Sequence, residues 1–410
     1  MSILPEEVKK QIKKIGSADI LVGVPSFRNE DTISSVVKAA SEGMTKYFPD
    51  LKPVLVNSDG GSTDNTREIV LNTPVDKKIQ KIVTPYQGIP GKGSAFATIF
   101  EIADWLKVKV CIVVDSDLKS ITPEWIKLLG DPIWKHSFGM VTPYYRRYKY
   151  DGTITNNIAY PLTRALYGQI IRQPIGGEFA MSGSLAKILA HQRIDNANIA
   201  KFGIDIWMTT TAINEGFRLC QAAMGVKLHN PKDPAKSLAP MFEQVVGTLF
   251  SLMNKYEVKW KASRGSQPVD LYGEETNDID PEKFNVDYAA MIRNFEVGFR
   301  KYKQGIKLIL SKDNFTEVEA LTKSNLNKFA FPEELWAKVV YDFAVAYNFA
   351  NIPSYLVLES LVPLYFGRTA AFVLQTKYMS TPLAEAVVEA TAEVFEDTKP
   401  YLIKQWNKAK

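Results

Sequence analysis

Cysteine is nearly absent from this chain, with Cys111 and Cys220 the only two in 410 residues. Both sit in apolar surroundings far apart in sequence, which excludes a disulfide framework and reads as buried thiols in a reducing compartment. Long apolar runs are missing too. No stretch reaches the ~18 uninterrupted apolar residues of a membrane span. The nearest, Val339 to Phe372, carries Asp342, Asn348, Asn351, Pro353, Glu359, Pro363 and Arg368, and reads as buried helices broken by prolines. Met1 to Ile15 is charged and amphipathic and lacks the apolar centre of a signal peptide. Charge of one sign does not dominate either. Fifty basic against 45 acidic residues give +5, too even to argue for a nucleic-acid partner. The expectation is a cytoplasmic protein with no membrane span.

What is present begins with an ordinary globular composition, 46% apolar and 23% charged. The length predicts two domains. The first half alternates strands and helices. Asp19 to Val24 predicts a strand followed by the loop Pro25-Ser26-Phe27-Arg28-Asn29-Glu30, with a helix from about Thr32. Pro53 to Val56 predicts a second strand, running into Asn57-Ser58-Asp59-Gly60-Gly61-Ser62. Lys81 to Thr84 suits a third, and Gly91-Lys92-Gly93 opens a helix with Phe96, Ile99, Ile102, Ala103 and Leu106 on one face. Alternating units with short connections argue for a mostly parallel sheet flanked by helices.

The most informative stretch is Val110-Cys111-Ile112-Val113-Val114-Asp115-Ser116-Asp117. Five apolar residues suit a strand buried on both faces. The paired carboxylates then fall at its carboxyl end, where open α/β sheets bind ligands. Their spacing suits a hard divalent cation shared with substrate phosphates, although Asp and Ser are also good helix caps. The Asp59-Gly60-Gly61-Ser62 turn lets backbone approach a ligand and offers a carboxylate to a base or ribose, yet it is also simply a good turn. Gly91-Lys92-Gly93 places amides and a point charge at a helix start, suited to phosphate. The Walker pattern is absent, so phosphoryl transfer from ATP loses support. A basic phosphate loop paired with an acidic turn suggests a nucleotide diphosphate leaving group.

Taken in order, Pro25-x-Phe27-x-Asn29-Glu30, Ser58 to Asp64, Gly91-Lys92-Gly93 and Asp115-Ser116-Asp117 resemble the motifs of GT-A fold, sugar-nucleotide-dependent glycosyltransferases. Tyr144-Tyr145-Arg146-Arg147, Gln173 to Glu178, Phe202-Gly203-Ile204-Asp205 and His229 narrow this to two retaining families. These are the glucosyl-3-phosphoglycerate synthases and the mannosylglycerate synthases. The resemblance covers roughly Ile20 to Phe250. It implies a Rossmann-like catalytic domain over 1–260, with an all-helical region over 261–410 that completes the core or makes a homodimer contact.

The resemblance also implies roles. Pro25, Phe27, Glu30, Asp59 and Gly60 would hold the nucleoside, uridine or guanosine, and Lys92 the diphosphate. Asp117 and His229 would bind Mg2+ or Mn2+, with Asp115 and Ser116 nearby on the sugar or ribose. Gly176, Gly177, Glu178 and Asp205 would line the hexose pocket, and Asp115, Asp117, Glu178 and Asp205 form the catalytic set. The partners would be a UDP- or GDP-hexose and a small anionic acceptor. Thr155 sits in the acceptor segment. There the chain departs from pattern, because Thr153 stands where phosphoglycerate-using relatives have an arginine. Free D-glycerate thereby becomes a candidate beside 3-phosphoglycerate, with Arg146 available to either. A lipid or polymer acceptor, and a non-catalytic nucleotide-binding scaffold, are the alternatives.

Overall fold

The computed structural model describes residues 2–192, 194, 196–228, 238–275 and 281–410. Ten strands are present among them: β1 (Ile20–Ser26), β2 (Pro53–Asp59), β3 (Gln80–Pro85), β4 (Val110–Val113), β5 (Met140–Arg146), β6 (Gln169–Ile170), β7 (Phe179–Ser182), β8 (Leu219–Val226), β9 (Gln267–Pro268) and β10 (Asp270–Tyr272). Eight form one sheet in the order β10-β8-β5-β7-β4-β1-β2-β3, while β6 and β9 pair separately. Seven of the eight run parallel. β7 alone is antiparallel to both its neighbours, β4 and β5. The expected α/β class, a mostly parallel sheet flanked by helices with a helical C-terminal region, is what forms.

β4 shows why this sheet holds. Val110, Cys111, Ile112 and Val113 are all inaccessible to solvent. β4 pairs with β1 on one side and β7 on the other. Each large apolar side chain taken out of water in this way contributes about 1.5–3 kcal/mol. The helix Lys92–Trp105 lies close on β1 because Gly23 has no side chain there. A Cβ at Gly23 would come within 2.6 Å of Ile99. The chain leaves β1 toward β2 on one side, and β4 pairs on the other, so a strand-order switch point falls between β1 and β4.

The chain divides into two compact units, each discontinuous in sequence. The first comprises Met1–Arg146, Ile171–Asn230 and Val269–Pro281 and contains the sheet. The second comprises Arg147–Ile170, Pro231–Pro268 and Glu282–Lys410. This differs from a single boundary after residue 260. The reason lies in the amphipathic segments 147–170 and 239–255, whose apolar faces pack among the C-terminal helices. Trp336 donates its indole N–H to the carbonyl of Asn157 at 2.6 Å, and Phe242 stacks on Tyr365 at 4.4 Å between ring centres.

Within the second unit, Pro332 and Pro382 stand at helix starts, next to Glu333–Phe349 and within Thr381–Ala409. Pro363 does not break its helix; it lies inside Ser354–Thr376. Its ring is accommodated by the helix Tyr288–Ile309, where a Cβ on Gly298 would sit 2.3 Å from the proline Cγ. Tight helix contact offsets the hydrogen bond that proline forfeits. Ser354–Thr376 is, among the described residues, the one helix long and apolar enough to cross a membrane. Most of it is buried inside the protein. Arg164 is held by Tyr160 and by ion pairs to Glu389 and Glu396. Tyr341 and Phe343 are buried, as helix packing requires, and Tyr355 is exposed.

Candidate active site

The antiparallel strand β7 creates the site. Because Val113 pairs with Phe179, the residue before β7, Glu178, faces the residues just after β4, including Asp115. Both stand at the carboxyl edge of the parallel strands. Lys92 starts its helix there, Asp205 lies in the first turn of the helix Ile204–Asn214, and Lys227 follows β8. Five ionisable side chains from five elements thus meet in the first unit.

Lys92 Nζ lies 2.8 Å from Asp115 and 3.3 Å from Asp205. Lys227 Nζ donates to both oxygens of Glu178, at 3.0 and 2.8 Å, and to the carbonyl of Gly176 at 3.1 Å. It also lies 3.5 Å from Asp115. The hydroxyl of Tyr145 donates to Glu178 at 2.5 Å. Gln173 braces Tyr145 from behind, its amide donating to the tyrosine carbonyl at 2.8 Å. Gly177 adopts φ +100, and a Cβ there would sit 2.6 Å from Asp115 and 2.8 Å from Lys227 Nζ. Only glycine fits on both counts.

Electrostatics follow from this packing. Burial works to raise the Asp115 carboxyl, but the ammonium groups of Lys92 and Lys227 overcome it and hold Asp115 well below the usual range. For Glu178 and Asp205 burial wins over the neighbouring lysines, and both lie above the ordinary carboxylate value. Burial opposes the charge on Lys92, yet Asp115 and Asp205 more than restore it, so it is firmly protonated. The site therefore separates its acids, one held below the ordinary carboxylate value and two above it, a pattern typical of functional sites. Asp205 is the loosest member. Its Oδ1 lies within ion-pair distance of Lys92 but out of line for a hydrogen bond, and it is otherwise buried without a partner.

A second group of residues lies at the ends of β1 and β2. Asp59 is fully buried and accepts from Ser26 Oγ at 2.9 Å, Gly61 N at 2.9 Å, Ser62 N at 2.8 Å and Ser62 Oγ at 2.6 Å. Its carboxylate is occupied in shaping the Asp59-Gly60-Gly61-Ser62 turn. The amide of Gly60 donates to the carbonyl of Ser26. Pro25 lies in β1, while Phe27 stands 56% exposed just beyond it. Glu30 accepts from the backbone and side chain of Asn65. Ser116 donates to Asn29 at 2.8 Å and accepts from Thr32 through its carbonyl, which ties the β1 loop to the acidic turn.

The remaining expected residues fall elsewhere. Asp117 is exposed. His229 lies outside the described residues; Leu228 before it is hydrogen-bonded to Lys119 and Ser120, just past Asp117. No group of three His, Cys, Asp or Glu suited to a metal is found among the described residues. Arg146 ends β5 in the first unit. Thr153 and Thr155 belong to the second unit and are buried, and the Thr153 hydroxyl lies 2.6 Å from that of Tyr365. The helix start at Gly91-Lys92-Gly93 is already engaged. Gly91 N donates to Tyr86 and Ser94 N to the carbonyl of Ala200. Lys227 and Gln173 had no assigned role in sequence. A lysine closing an apolar strand next to a suspected ligand was the one signal for Lys227.

No protein-family model matches the chain, and no curated protein does. Among solved structures it is similar to glucosyl-3-phosphoglycerate synthase from Mycobacterium tuberculosis in complex with Mn2+, UDP and phosphoglyceric acid. Identity is 24% over 58% of this chain and 81% of that one, with a TM-score of 0.45. The same enzyme with Mg2+ and UDP gives 23% identity, 58% and 82% coverage and a TM-score of 0.44. A further structure of the enzyme gives 23%, 58%, 84% and 0.42. A likeness this distant leaves function to the chemistry of the site.

Proposed function

We propose that the protein is a retaining GT-A glycosyltransferase that moves a hexose, glucose or mannose, from a UDP- or GDP-sugar to D-glycerate or 3-phosphoglycerate. The observation that carries this reading is the meeting of Lys92, Asp115, Glu178 and Asp205 at the carboxyl edge of the sheet. Each comes from a separate motif in the ordered set, and together with Lys227 they make a largely buried polar cluster at the sheet edge where α/β proteins bind ligands.

The chain's own residues divide the work. Phe27 and the turn shaped by Asp59 offer a face and backbone groups to the nucleoside. Asp205, with an oxygen lacking a hydrogen bond, accepts from hexose hydroxyls, and Glu178 shares that wall. Lys92 stands at the helix start facing the diphosphate. A divalent cation, Mg2+ or Mn2+, held by Asp117 and His229, would offset diphosphate charge. One exposed carboxylate suits a cation that takes most of its ligands from phosphate and water.

Glu178 has both oxygens engaged by Lys227 and Tyr145, which argues against it as a nucleophile. With Asp205 assigned to the hexose hydroxyls, the scheme proposed is same-face attack. The bond from the anomeric carbon to the phosphate oxygen breaks, the acceptor oxygen bonds to that carbon, and the acceptor's proton passes to the departing phosphate oxygen. Arg146 holds the acceptor's carboxylate. An uncharged Thr153 in place of arginine favours free D-glycerate. Two unbridged, buried cysteines agree with a reducing, cytoplasmic setting.

The test is nucleotide release from UDP-glucose, GDP-glucose and GDP-mannose, each with D-glycerate and with 3-phosphoglycerate, with and without EDTA. One pair should turn over and stop on chelation. Silence from every pair would end the proposal, and a covalent hexose trapped on Glu178 or Asp205 would replace same-face attack.

A further inference from the structure

Lys227, which no motif singled out, makes as many polar contacts in the carboxylate cluster as Lys92 does. Its Nζ spans both oxygens of Glu178, the carbonyl of Gly176 and the near side of Asp115, and its side chain is 7% exposed. It reaches this place because Gly177 leaves room, with a Cβ there falling 2.8 Å from Nζ. The ammonium thus ties the end of β8, which pairs with neither β7 nor β4, to the turn before β7 and the turn after β4. Lysine suits the task because one compact charge with three donors can serve acceptors arriving from different directions.

We propose that Lys227 is a positioning residue, locking the Gly176–Gly177–Glu178 turn against Asp115 so that the hexose-facing wall is fixed before donor arrives. This rests on the transferase reading for its catalytic consequence, though its structural consequence does not. Lys227 acts through Glu178, whereas Lys92 serves Asp115 and Asp205 and reaches the same turn only through the Gly177 carbonyl, at 3.4 Å.

The test uses the full-length protein carrying Lys227→Met, Lys227→Arg, Glu178→Gln and the Lys227→Met/Glu178→Gln pair. With the transferring pair of substrates, Lys227→Met should lower kcat by about 100-fold, as misplacement of a catalytic wall does. Donor KM should change little, and Lys227→Arg should restore part of the loss. Lys227→Met should add nothing to Glu178→Gln. Additive losses would show that Lys227 acts apart from Glu178 and overturn the inference. A crystal structure of Lys227→Met reads the same point without turnover. Glu178 swung away from Tyr145, with the Gly176–Gly177 turn displaced, supports the role; Glu178 still bonded to Tyr145 refutes it. Should the wild-type protein transfer no hexose, the transferase reading falls and that crystal structure alone decides Lys227. If Lys227→Met does not fold, Lys227→Gln takes its place in both measurements.

Discussion

Replacing Lys92 by methionine separates two roles for this residue, phosphate ligand and internal counter-ion. A lysine kept only for phosphate would leave the ligand-free protein as stable as before. Here its ammonium sits 2.8 Å from Asp115 and 3.3 Å from Asp205. At an effective dielectric of about 20, the first contact alone is worth about 6 kcal/mol of gross attraction. Most of that is cancelled by the desolvation of both charges. Deleting one partner of a buried pair costs roughly 3–5 kcal/mol. Asp115 keeps Lys227 at 3.5 Å, and Asp205, whose carboxyl burial already raises, is raised further once Lys92 is gone and can take up a proton. The expected loss is therefore about 2–3 kcal/mol, a drop of roughly 5–10 °C in unfolding temperature for a unit of this size.

Acid should narrow the gap. Asp115 is depressed in the folded state, so its contribution is present above its unfolded value of 3.8 and disappears as pH falls through the folded value. Asp205 is raised, and in the variant it would be raised further, so acidification relieves it. Lys92 itself is raised, and its contribution persists until pH exceeds the unfolded value of 10.5. Urea and thermal unfolding of the full chain at pH 7 and near pH 4, with Lys92→Met/Asp205→Asn as a partial rescue, measure the Asp205 part, because Asp115 and Lys92 change charge outside that range. A loss under about 1 kcal/mol at pH 7, or one that grows toward acid, would refute the counter-ion argument.

Asp59→Ala should strand the buried amide of Ser62, the amide of Gly61 and two hydroxyls, costing about 2–4 kcal/mol and weakening nucleoside diphosphate binding by calorimetry in parallel. Gly298→Ala should force a methyl against Pro363, 2.3 Å away, and lower the unfolding free energy of the helical unit by about 1–3 kcal/mol, read by urea unfolding. Asp117→Asn, at an exposed position, should leave unfolding within about 0.5 kcal/mol while raising the Mn2+ concentration needed for transfer. Equal metal dependence in the variant would remove Asp117 from the cation site.

Motif order was the legible part of the site, because backbone propensity and local spacing put Lys92 at a helix start and Asp115 at a strand end without help from distant residues. Strand limits were less legible. β2 runs on to Asp59, so the carboxylate expected in a loop is the last residue of a strand and is buried under its own turn. Pro363 misled for the opposite reason, since its tolerance depends on a glycine some sixty positions away. Thr153 could be seen to lack charge, but its burial against Tyr365 could not.

Composition and periodicity by themselves determined an alternating α/β half and a helical remainder, since these depend on the average chemistry of each segment. Tertiary structure alone decided that one strand enters backwards between β4 and β5, that segments 147–170 and 239–255 leave the sheet unit for the helices, and that Lys227 closes the carboxylate cluster. Those outcomes depend on long-range pairing: the energy that selects them arises only when residues more than a hundred positions apart, such as Lys92 and Asp205, come within a few ångströms.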